Sequence, residues 1–427
     1  MNFPTPHIAK ACGWNDNLIR GWNTVLIDCL VQQENVELTI FFPQHRQRET
    51  IRGSAKIDKG GRKVNYVGFY EKPTPEMKYN HKIEQLFREE LMRINPDLIH
   101  IWGTEYLHTL CMVNAYNDPN RTVVSIQGII SVIGEHYTDY LPRYVVNHLT
   151  FRDWVRRDGI KHQKDKFIRR GLFEIETLKK IGHVAGRTEW DHQELLTINP
   201  KLKYHHCREF LRPSFSDAPK WAFSKCDKHT VFMAQADYPV KGMHIALKIL
   251  SEVKKVYSDV KIYLAGKNLI ATGIKEQIKR SSYSTYTIKL INDYGLAQNV
   301  IFLGQLNEQQ MISQYIKTNV FLQASVMENS PNSLGEAMYL GVPCVASDVG
   351  GTSSFLKNEE DGILYDHSDL SRAVEGIIRA FKGDRVTIQM AETGQKKAAL
   401  QYDYAKGYKE YMDMYTEMLR DGTALGR

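Results

Sequence analysis

The sequence has few features of a membrane-spanning or disulfide-linked secreted protein. It contains no run of about 18 apolar residues, so no membrane-spanning helix is predicted. The segment 1–7 has neither a basic start nor a long apolar stretch, so no secretory signal is expected. Its six cysteines are scattered without paired spacing, which indicates reduced thiols rather than a disulfide framework or a zinc site. We therefore expect a cytoplasmic protein.

A strong net charge and an acidic metal motif are also absent. The net charge of +7 over 427 residues is too small to indicate nucleic-acid binding by itself. No Asp-x-Asp pair occurs, so we expect no metal ion in the site. Hydrophobic and charged contents of 42% and 25% are those of ordinary soluble proteins. The length suits two or three domains, each of roughly 150 residues.

Short apolar runs alternate with helical patterns along the chain. This alternation predicts an α/β protein with parallel sheets. Ligands of such sheets bind at the carboxyl ends of the strands. The predicted strands are 98–102, 122–126, 231–234, 260–265, 300–303, 320–323, 342–346 and 363–365.

The segment 327–352 holds the strongest functional signal. Glu328 and Glu336 lie eight residues apart, separated by a polar loop that turns into a helix. A carboxylate offers two acceptor oxygens, which suit pairs of sugar hydroxyls. The alternative for Glu336 is a cap or salt bridge on a surface helix.

The start of the helix in this segment adds a second signal. Ser330 followed by Pro331 is typical of an N-cap and a first helical residue, and Asn332 is the alternative cap. Gly341 and Pro343 predict the end of the helix. The first turn of a helix carries unpaired N–H groups and partial positive charge, so it is suited to an anion such as a phosphate.

The order of fixed positions in 328–351 resembles the donor-site signature of the family 4 glycosyltransferases. E-x7-E is followed here by GEAM-x-x-GVP-x-VASD-x-GG. The resemblance implies the GT-B fold, with two Rossmann-like parallel-sheet domains facing a central cleft. It also implies that Glu336 binds the nucleotide ribose and that Glu328 faces the transferred sugar as a catalytic residue. Further donor contacts implied by it are Gly266, Asn329, Ser330, Asn332, Ser333 and Leu334.

A second segment, 231–250, supports the same interpretation. Lys241 and Gly242 open an amphipathic helix after a predicted strand. A lysine at a helix start opposes the helix dipole unless an anion lies there, and a diphosphate would be that anion. In the family an arginine at the strand end and this lysine hold the donor diphosphate. Gln235 occupies the place of the arginine and brings no charge.

Three candidates in the first half are implied more weakly. The family has a Gly-Gly loop near the donor phosphates; Gly21 fits the second glycine and Arg20 replaces the first. Gln127 follows a predicted strand where relatives often have a histidine, and is a candidate contact to the sugar or the acceptor. A simple turn at the strand end explains Gln127 equally well.

The predicted domains follow the resemblance. Residues 1–213 form an acceptor-side domain, 214–397 a nucleotide-sugar domain, and 398–427 a helix that crosses back onto the first domain. Only 1–10 precede the loop near Arg20, and Pro4 and Pro6 disfavour a strand there. The first core strand is therefore expected to be short or missing.

The segment 152–180 is rich in basic residues. It holds ten basic and five acidic residues, with aromatic and aliphatic side chains between them. One interpretation is a solvated helical face, and the other is contact with anionic lipid at the inner face of the plasma membrane.

The expected activity is transfer of a hexose from a nucleotide-diphosphate donor, expected to be a UDP-sugar, to a hydroxyl of a glycan or lipid-linked acceptor. The resemblance implies retention of configuration and a place in bacterial polysaccharide or cell-envelope synthesis. We expect Lys241 and the helix start to stabilise the diphosphate leaving group without a cofactor. The alternatives are a non-catalytic glycosyltransferase-like partner that binds sugar, and a GT-B UDP-sugar epimerase.

Overall fold

The computed structural model describes residues 1–14, 22–57, 61–71, 78–270, 273 and 277–423. The chain divides into two compact units. Unit 1 comprises Met1–Ile130, Arg169–Arg212 and Tyr402–Arg427, and unit 2 comprises Ser131–Ile168 and Pro213–Gln401. The segment Ser131–Ile168, which the sequence placed in the first domain, thus groups with the second half of the chain.

Unit 1 contains two sheets in its described part. A three-stranded sheet has the order β1-β3-β2, and a four-stranded, wholly parallel sheet has the order β4-β5-β6-β7. The strands are β1 (Thr39–Gln44), β2 (Ile51–Lys56), β3 (Lys63–Tyr70), β4 (Ile99–Trp102), β5 (Thr122–Ser125), β6 (His183–Gly186) and β7 (Lys203–His206). Residues 1–14 contain a helix but no strand, so β1 is the first strand in the described part of the chain.

Helices of the first half connect these strands. They are α1 (Pro6–Ala11), α2 (Trp22–Val31), α3 (His81–Ile94), α4 (His108–Tyr116), α5 (Ile130–His136), α6 (Arg143–Asn147), α7 (Phe151–Arg156), α8 (Ile160–Lys180) and α9 (Glu189–Ile198). Of these, α6 and α7 belong to unit 2, as does α5 from Ser131 onward, and α8 is divided between the two units.

Unit 2 is built on one six-stranded parallel sheet of order β10-β9-β8-β11-β12-β13. Its strands are β8 (Thr230–Met233), β9 (Lys261–Ala265), β10 (Val300–Gly304), β11 (Val320–Gln323), β12 (Cys344–Ser347) and β13 (Ile363–Tyr365). All residues of β8, β11 and β12 are buried, as expected for a parallel sheet covered on both faces. Every predicted strand is confirmed to within two residues.

The helices of the second half cover this sheet or extend the chain. They are α10 (Pro213–Ser216), α11 (Met243–Val256), α12 (Ser282–Asp293), α13 (Glu308–Lys317), α14 (Asn332–Leu340), α15 (Thr352–Phe355), α16 (Ser371–Lys382), α17 (Arg385–Gln401) and α18 (Tyr404–Thr423). No described helix is both long and apolar enough to cross a bilayer.

The end of the chain differs from the single helix predicted from residue 398. Helix α17 ends at Gln401, and α18 begins at Tyr404. Asp403 starts the new helix, because its carboxylate accepts a hydrogen bond from the backbone N–H of Lys406 at 2.9 Å. Helix α18 then packs in unit 1, with Tyr411 and Met418 in the same core as Trp102.

Candidate functional site

Three loops at one edge of the unit 2 sheet carry most of the predicted site. The strands β8, β11 and β12 are parallel neighbours, so their carboxyl ends lie at the same edge. Lys241 follows β8, Glu328 follows β11, and Gly350 follows β12. The fold therefore collects residues that are far apart in the sequence.

Lys241 and Glu328 form an ion pair between two of these loops. Lys241 Nζ lies 2.6 Å from Glu328 Oε1, and both side chains are less than a fifth exposed. Burial alone would lower the pKa of Lys241, but the carboxylate of Glu328 and the neighbouring Tyr238 outweigh it and raise that pKa above its usual value. Lys241 is therefore cationic throughout the physiological range.

Two close backbone approaches hold the loops together. Gly242 has φ +71°, and a Cβ at this position would lie 1.7 Å from the carbonyl oxygen of Ala324. Gly350 has φ +52°, and a Cβ there would lie 2.0 Å from the carbonyl oxygen of Glu328. Only glycine fits either position. The loop that carries Glu328 thus lies against the backbone of Gly242 and against that of Gly350.

Helix α14 begins beside Glu328 without a side-chain cap. The N-cap position is Pro331, whose side chain cannot accept a hydrogen bond, so the prediction that Ser330 caps the helix is wrong. The Ser330 hydroxyl is buried and has no hydrogen-bond partner among the described residues. The backbone N–H groups of Asn332 and Ser333 also have no acceptor among the described residues. This helix start remains available to an anion.

Glu336 lies in the second turn of α14 and is buried. Its side chain is only 8% exposed, and the Tyr315 hydroxyl lies 3.2 Å from its Oε2. The same hydroxyl lies 3.0 Å from the Ser333 carbonyl oxygen. Tyr315 therefore positions both the helix start and the carboxylate, and the surface salt-bridge alternative for Glu336 does not hold.

The remaining unit 2 candidates differ in what they can contact. Gln235 is exposed beyond the end of β8, whereas Asn329 is buried. Gly266 follows β9 beside Asp237, which accepts a hydrogen bond from Lys267 N at 2.9 Å.

Leu334 offers the least to a ligand. Its side chain is fully buried, and its N–H donates to the Pro331 carbonyl at 3.0 Å. The predicted contact through Leu334 therefore has neither a free N–H nor an exposed side chain.

Of the first-half candidates, only Gln127 is among the described residues. Gln127 is half-buried after β5 in unit 1, where the neighbouring Ile126 N–H donates to the Ala185 carbonyl at 2.9 Å. Arg20 and Gly21 lie outside the described residues.

Sequence reasoning missed Ser325 and Tyr315. Ser325 Oγ donates to Glu328 Oε1 at 2.7 Å, and this is the same carboxylate oxygen that Lys241 Nζ contacts. Its position three residues before Glu328 at a strand end is a local signal that a turn analysis could have used. Tyr315 lies on α13, and no pattern in the sequence links it to α14.

Comparisons with known proteins bear on the family and the fold of this chain. Residues 217–397 match the family described as "Glycosyl transferases group 1". The region 217–397 of this chain belongs to the group 1 glycosyltransferases. This family assignment confirms the resemblance drawn from the E-x7-E segment.

Two curated proteins that are similar to part of this chain are bacterial enzymes. A phosphatidyl-myo-inositol mannosyltransferase of Mycobacterium leprae is 24% identical over 49% of this chain and 52% of its own. A UDP-Gal:α-D-GlcNAc-diphosphoundecaprenol α-1,3-galactosyltransferase of Escherichia coli is 27% identical over 30% of this chain and 32% of its own. The matched part thus spans about half or less of each relative.

Solved structures confirm the GT-B fold of this chain. A sucrose-phosphate synthase from Thermosynechococcus elongatus superposes with a TM-score of 0.68 at 14% identity, covering 94% of both chains. HepE from Anabaena, solved with UDP and glucose, gives 0.61 at 15% identity over 94% of this chain and 97% of its own. At such identities the likeness is one of fold.

Proposed function

We propose that this protein is a retaining hexosyltransferase that moves a sugar from a nucleotide diphosphate donor, UDP-linked, to an acceptor hydroxyl. One observation carries the proposal: the Lys241–Glu328 pair stands beside an uncapped helix start, with Glu336 buried in the same helix. This arrangement offers a cation and free N–H groups to phosphates, and carboxylates to hydroxyls.

Charge on the leaving diphosphate is the main electrostatic demand of the reaction. Lys241 is held cationic by Glu328, and the Asn332 and Ser333 N–H groups add fixed dipoles that need no reorganisation. Because Gln235 is uncharged, Lys241 bears more of this task than in relatives with an arginine at that place. We propose that these groups act without a metal ion; no trio of His, Cys, Asp or Glu suited to a metal occurs among the described residues.

The relatives support a donor and an acceptor class. The Escherichia coli enzyme is named for UDP-Gal and a diphosphoundecaprenol-linked acceptor, and the Mycobacterium leprae enzyme for phosphatidyl-myo-inositol. HepE was solved with UDP and glucose. These names favour a UDP-sugar donor and a lipid-linked acceptor, in bacterial envelope or polysaccharide synthesis.

Calorimetric titration of UDP into the protein tests the donor site. Glu336→Gln keeps the size of the side chain but loses the charge that favours the ribose hydroxyls. We expect UDP affinity to fall roughly 10-fold to 100-fold, as for a lost hydrogen bond to a charged group. Glu392→Gln is the control on exposed α17 surface and should bind as the wild type does. Equal affinity in both variants would contradict the role of Glu336.

Turnover then separates transfer from its alternatives. A UDP-sugar screen with lipid-linked acceptors should release UDP at a rate that EDTA does not change. Loss of UDP release in EDTA would contradict the metal-free proposal.

Gln235 favours one rival function. An exposed amide in place of the arginine is what a non-catalytic, sugar-binding partner of another transferase could tolerate. Such a protein would bind UDP but would produce no UDP from a sugar nucleotide with any acceptor. Conversion of a UDP-sugar without acceptor would instead reveal an epimerase.

A further inference from the structure

Helix α7 has two charged residues, Arg152 and Asp153, on its inner side, and its apolar residues are exposed. Asp153 is fully buried and the Arg152 side chain is 15% exposed. Phe151, Trp154 and Val155 are exposed by 69%, 67% and 59%. A surface helix of a soluble protein normally shows the reverse arrangement.

The buried charges have a structural task. Asp153 Oδ2 accepts the Ser282 N–H at 2.7 Å, while Arg152 bonds both Asp153 and Asp158 at 2.8 Å. Thr150 Oγ1 also donates to the Arg280 carbonyl at 2.8 Å. This network fastens α7 to the start of α12 within unit 2, and it does not use the three apolar side chains.

The exposed residues around α7 form one apolar and cationic surface. We define the α7 surface as Leu149, Phe151, Trp154, Val155, Arg156 and Arg157, all of which are exposed. Both acidic residues between 143 and 161, Asp153 and Asp158, are paired with Arg152 and are not exposed. No exposed carboxylate therefore offsets the arginines in this stretch.

We propose that the α7 surface docks onto the anionic headgroup region of a lipid bilayer. Tryptophan and phenylalanine are suited to the boundary between headgroups and acyl chains, and adjacent arginines attract anionic lipid. The charge complementarity selects a bilayer over a neutral apolar partner. Contact with anionic lipid was one of two interpretations of the segment 152–180, and the proposal places that contact at the α7 surface. Lys164 and Lys180, farther along the segment, already bond Thr138 and Asn114.

Docking here would anchor the unit that holds the donor site. The Tyr140 ring, on the segment leading to α7, lies 4.6 Å from the His367 ring, and His367 Nε2 lies 3.0 Å from the Ser325 carbonyl oxygen. Ser325 in turn bonds Glu328. The anchor and the donor loop are thus linked by contacts within unit 2. The binding itself does not depend on the proposed transfer reaction.

Vesicle flotation of the full chain tests the proposal. Wild-type protein should float with vesicles of phosphatidylglycerol and phosphatidylcholine, and far less with phosphatidylcholine alone, and salt should weaken the binding. Phe151→Ser/Trp154→Ser and Arg156→Glu/Arg157→Glu should each reduce binding to the anionic vesicles at least about tenfold.

Matched controls distinguish binding through the α7 surface from non-specific binding through any exposed apolar side chain or through net charge. Val256→Ser removes an apolar side chain that is 62% exposed beside Lys254 and Lys255, and should bind like the wild type. Lys382→Glu/Lys396→Glu changes the net charge by the same amount as the arginine variant at other exposed sites of unit 2, and should reduce binding much less.

Three outcomes would overturn the proposal. They are absence of wild-type binding to anionic vesicles, equal loss in the control variants, and self-association or capture of a protein partner that the Trp154 variant abolishes without any vesicle binding. UDP affinity, measured on the same variants, should remain at the wild-type value. Protein that floats but does not bind UDP would contradict the proposed function and leave the docking surface standing.

Discussion

Two strand–loop–helix segments of this chain treat the start of the helix in opposite ways. In unit 1, β6 leads into α9, whose N-terminus has a complete capping box from Thr188 and Asp191. Asp191 is fully buried and also accepts the Tyr204 hydroxyl at 2.6 Å. In unit 2, β11 leads into α14, where Pro331 occupies the cap position and no side chain caps the helix.

The comparison distinguishes a helix start that stabilises the fold, that of α9, from one that can bind a ligand, that of α14. The polar groups at the start of α9 satisfy one another, so an incoming anion would have to displace Asp191. At the start of α14 the N–H groups of Asn332 and Ser333 remain available, and Lys241 supplies charge nearby. We infer that the polar groups at the start of α9 stabilise the fold, whereas the groups at the start of α14 are available to a ligand.

Lys241→Ala should have the largest effect and acts on turnover. Loss of one fixed charge that stabilises the leaving group typically lowers kcat ~10²–10³-fold. Steady-state kinetics with the identified donor would measure it. Lys255→Ala on α11, exposed and paired with Glu252, is the control and should keep normal kinetics. A large drop in melting temperature with unchanged kcat would show that the Lys241–Glu328 pair is structural, like the start of α9.

Asp191→Ala should act on stability alone. It removes the acceptor of the buried backbone N–H groups of Arg187 and Thr188, at a cost of ~1–3 kcal/mol in unfolding free energy. The Tyr204 hydroxyl also loses Asp191 but keeps the Thr188 carbonyl oxygen at 3.2 Å. Urea unfolding measures this loss, and UDP affinity at low urea should not change. The control Glu189→Ala removes a largely exposed first-turn carboxylate and should cost less than ~0.5 kcal/mol. Weaker UDP binding in Asp191→Ala would remove the contrast between the two helices.

Acid should weaken both units through histidines whose pKa is lowered, of which His100 in unit 1 and His244 in unit 2 are the most strongly shifted. Burial lowers the pKa of His100 in unit 1 and of His244 in unit 2 to about 3. In the unfolded chain these groups titrate near ~6.5, so between about pH 6.5 and pH 3 the unfolded state binds more protons. The contribution of these two histidines to the free energy of unfolding is therefore constant above this window. It falls as the pH decreases through the window, by ~1.4 kcal/mol per pH unit for each histidine.

Urea midpoints measured across that window test the two histidines. His100→Gln and His244→Gln should each flatten the slope, because glutamine does not titrate. His81→Gln, at a side chain that is 87% exposed, should keep the wild-type slope. An unchanged slope in both buried variants would mean that other groups govern acid unfolding.

The smallest effect comes from removing one hydroxyl from each helix start. Thr188→Ala should cost about 1 kcal/mol of unfolding free energy because the hydroxyl caps α9. Ser330→Ala should change stability by less than ~0.5 kcal/mol, because the Ser330 hydroxyl has no partner among the described residues. Thermal unfolding of the two variants side by side measures the contrast. A larger loss for Ser330→Ala would identify it as a hidden cap.

The sequence predicted eight strands well because each is a short apolar run in an alternating α/β pattern, but it did not predict β1, β2, β3, β6 and β7. It predicted the approach of Lys241 to the E-x7-E segment only through the family resemblance, since 87 positions separate Lys241 from Glu328. Local rules misplaced the cap of α14: Ser330 has the right chemistry, but the helix begins one residue later than that cap requires.

Tertiary contacts account for what the sequence did not predict. Tyr315 reaches Glu336 from another helix, which no local pattern records. The buried charges of α7 depend on Ser282, more than a hundred positions away, so the sequence alone suggested that the arginines face solvent.

The two close approaches at Gly242 and Gly350 have a consequence for altering donor choice. Each glycine lies against a carbonyl oxygen of the loop that carries Glu328. The backbones of the three loops must therefore fit one another. A graft that replaces 325–331 alone would bring in a backbone shaped for other neighbours. Donor specificity should therefore transfer between homologues as a cassette of all three loops, and single-loop chimaeras should fold poorly.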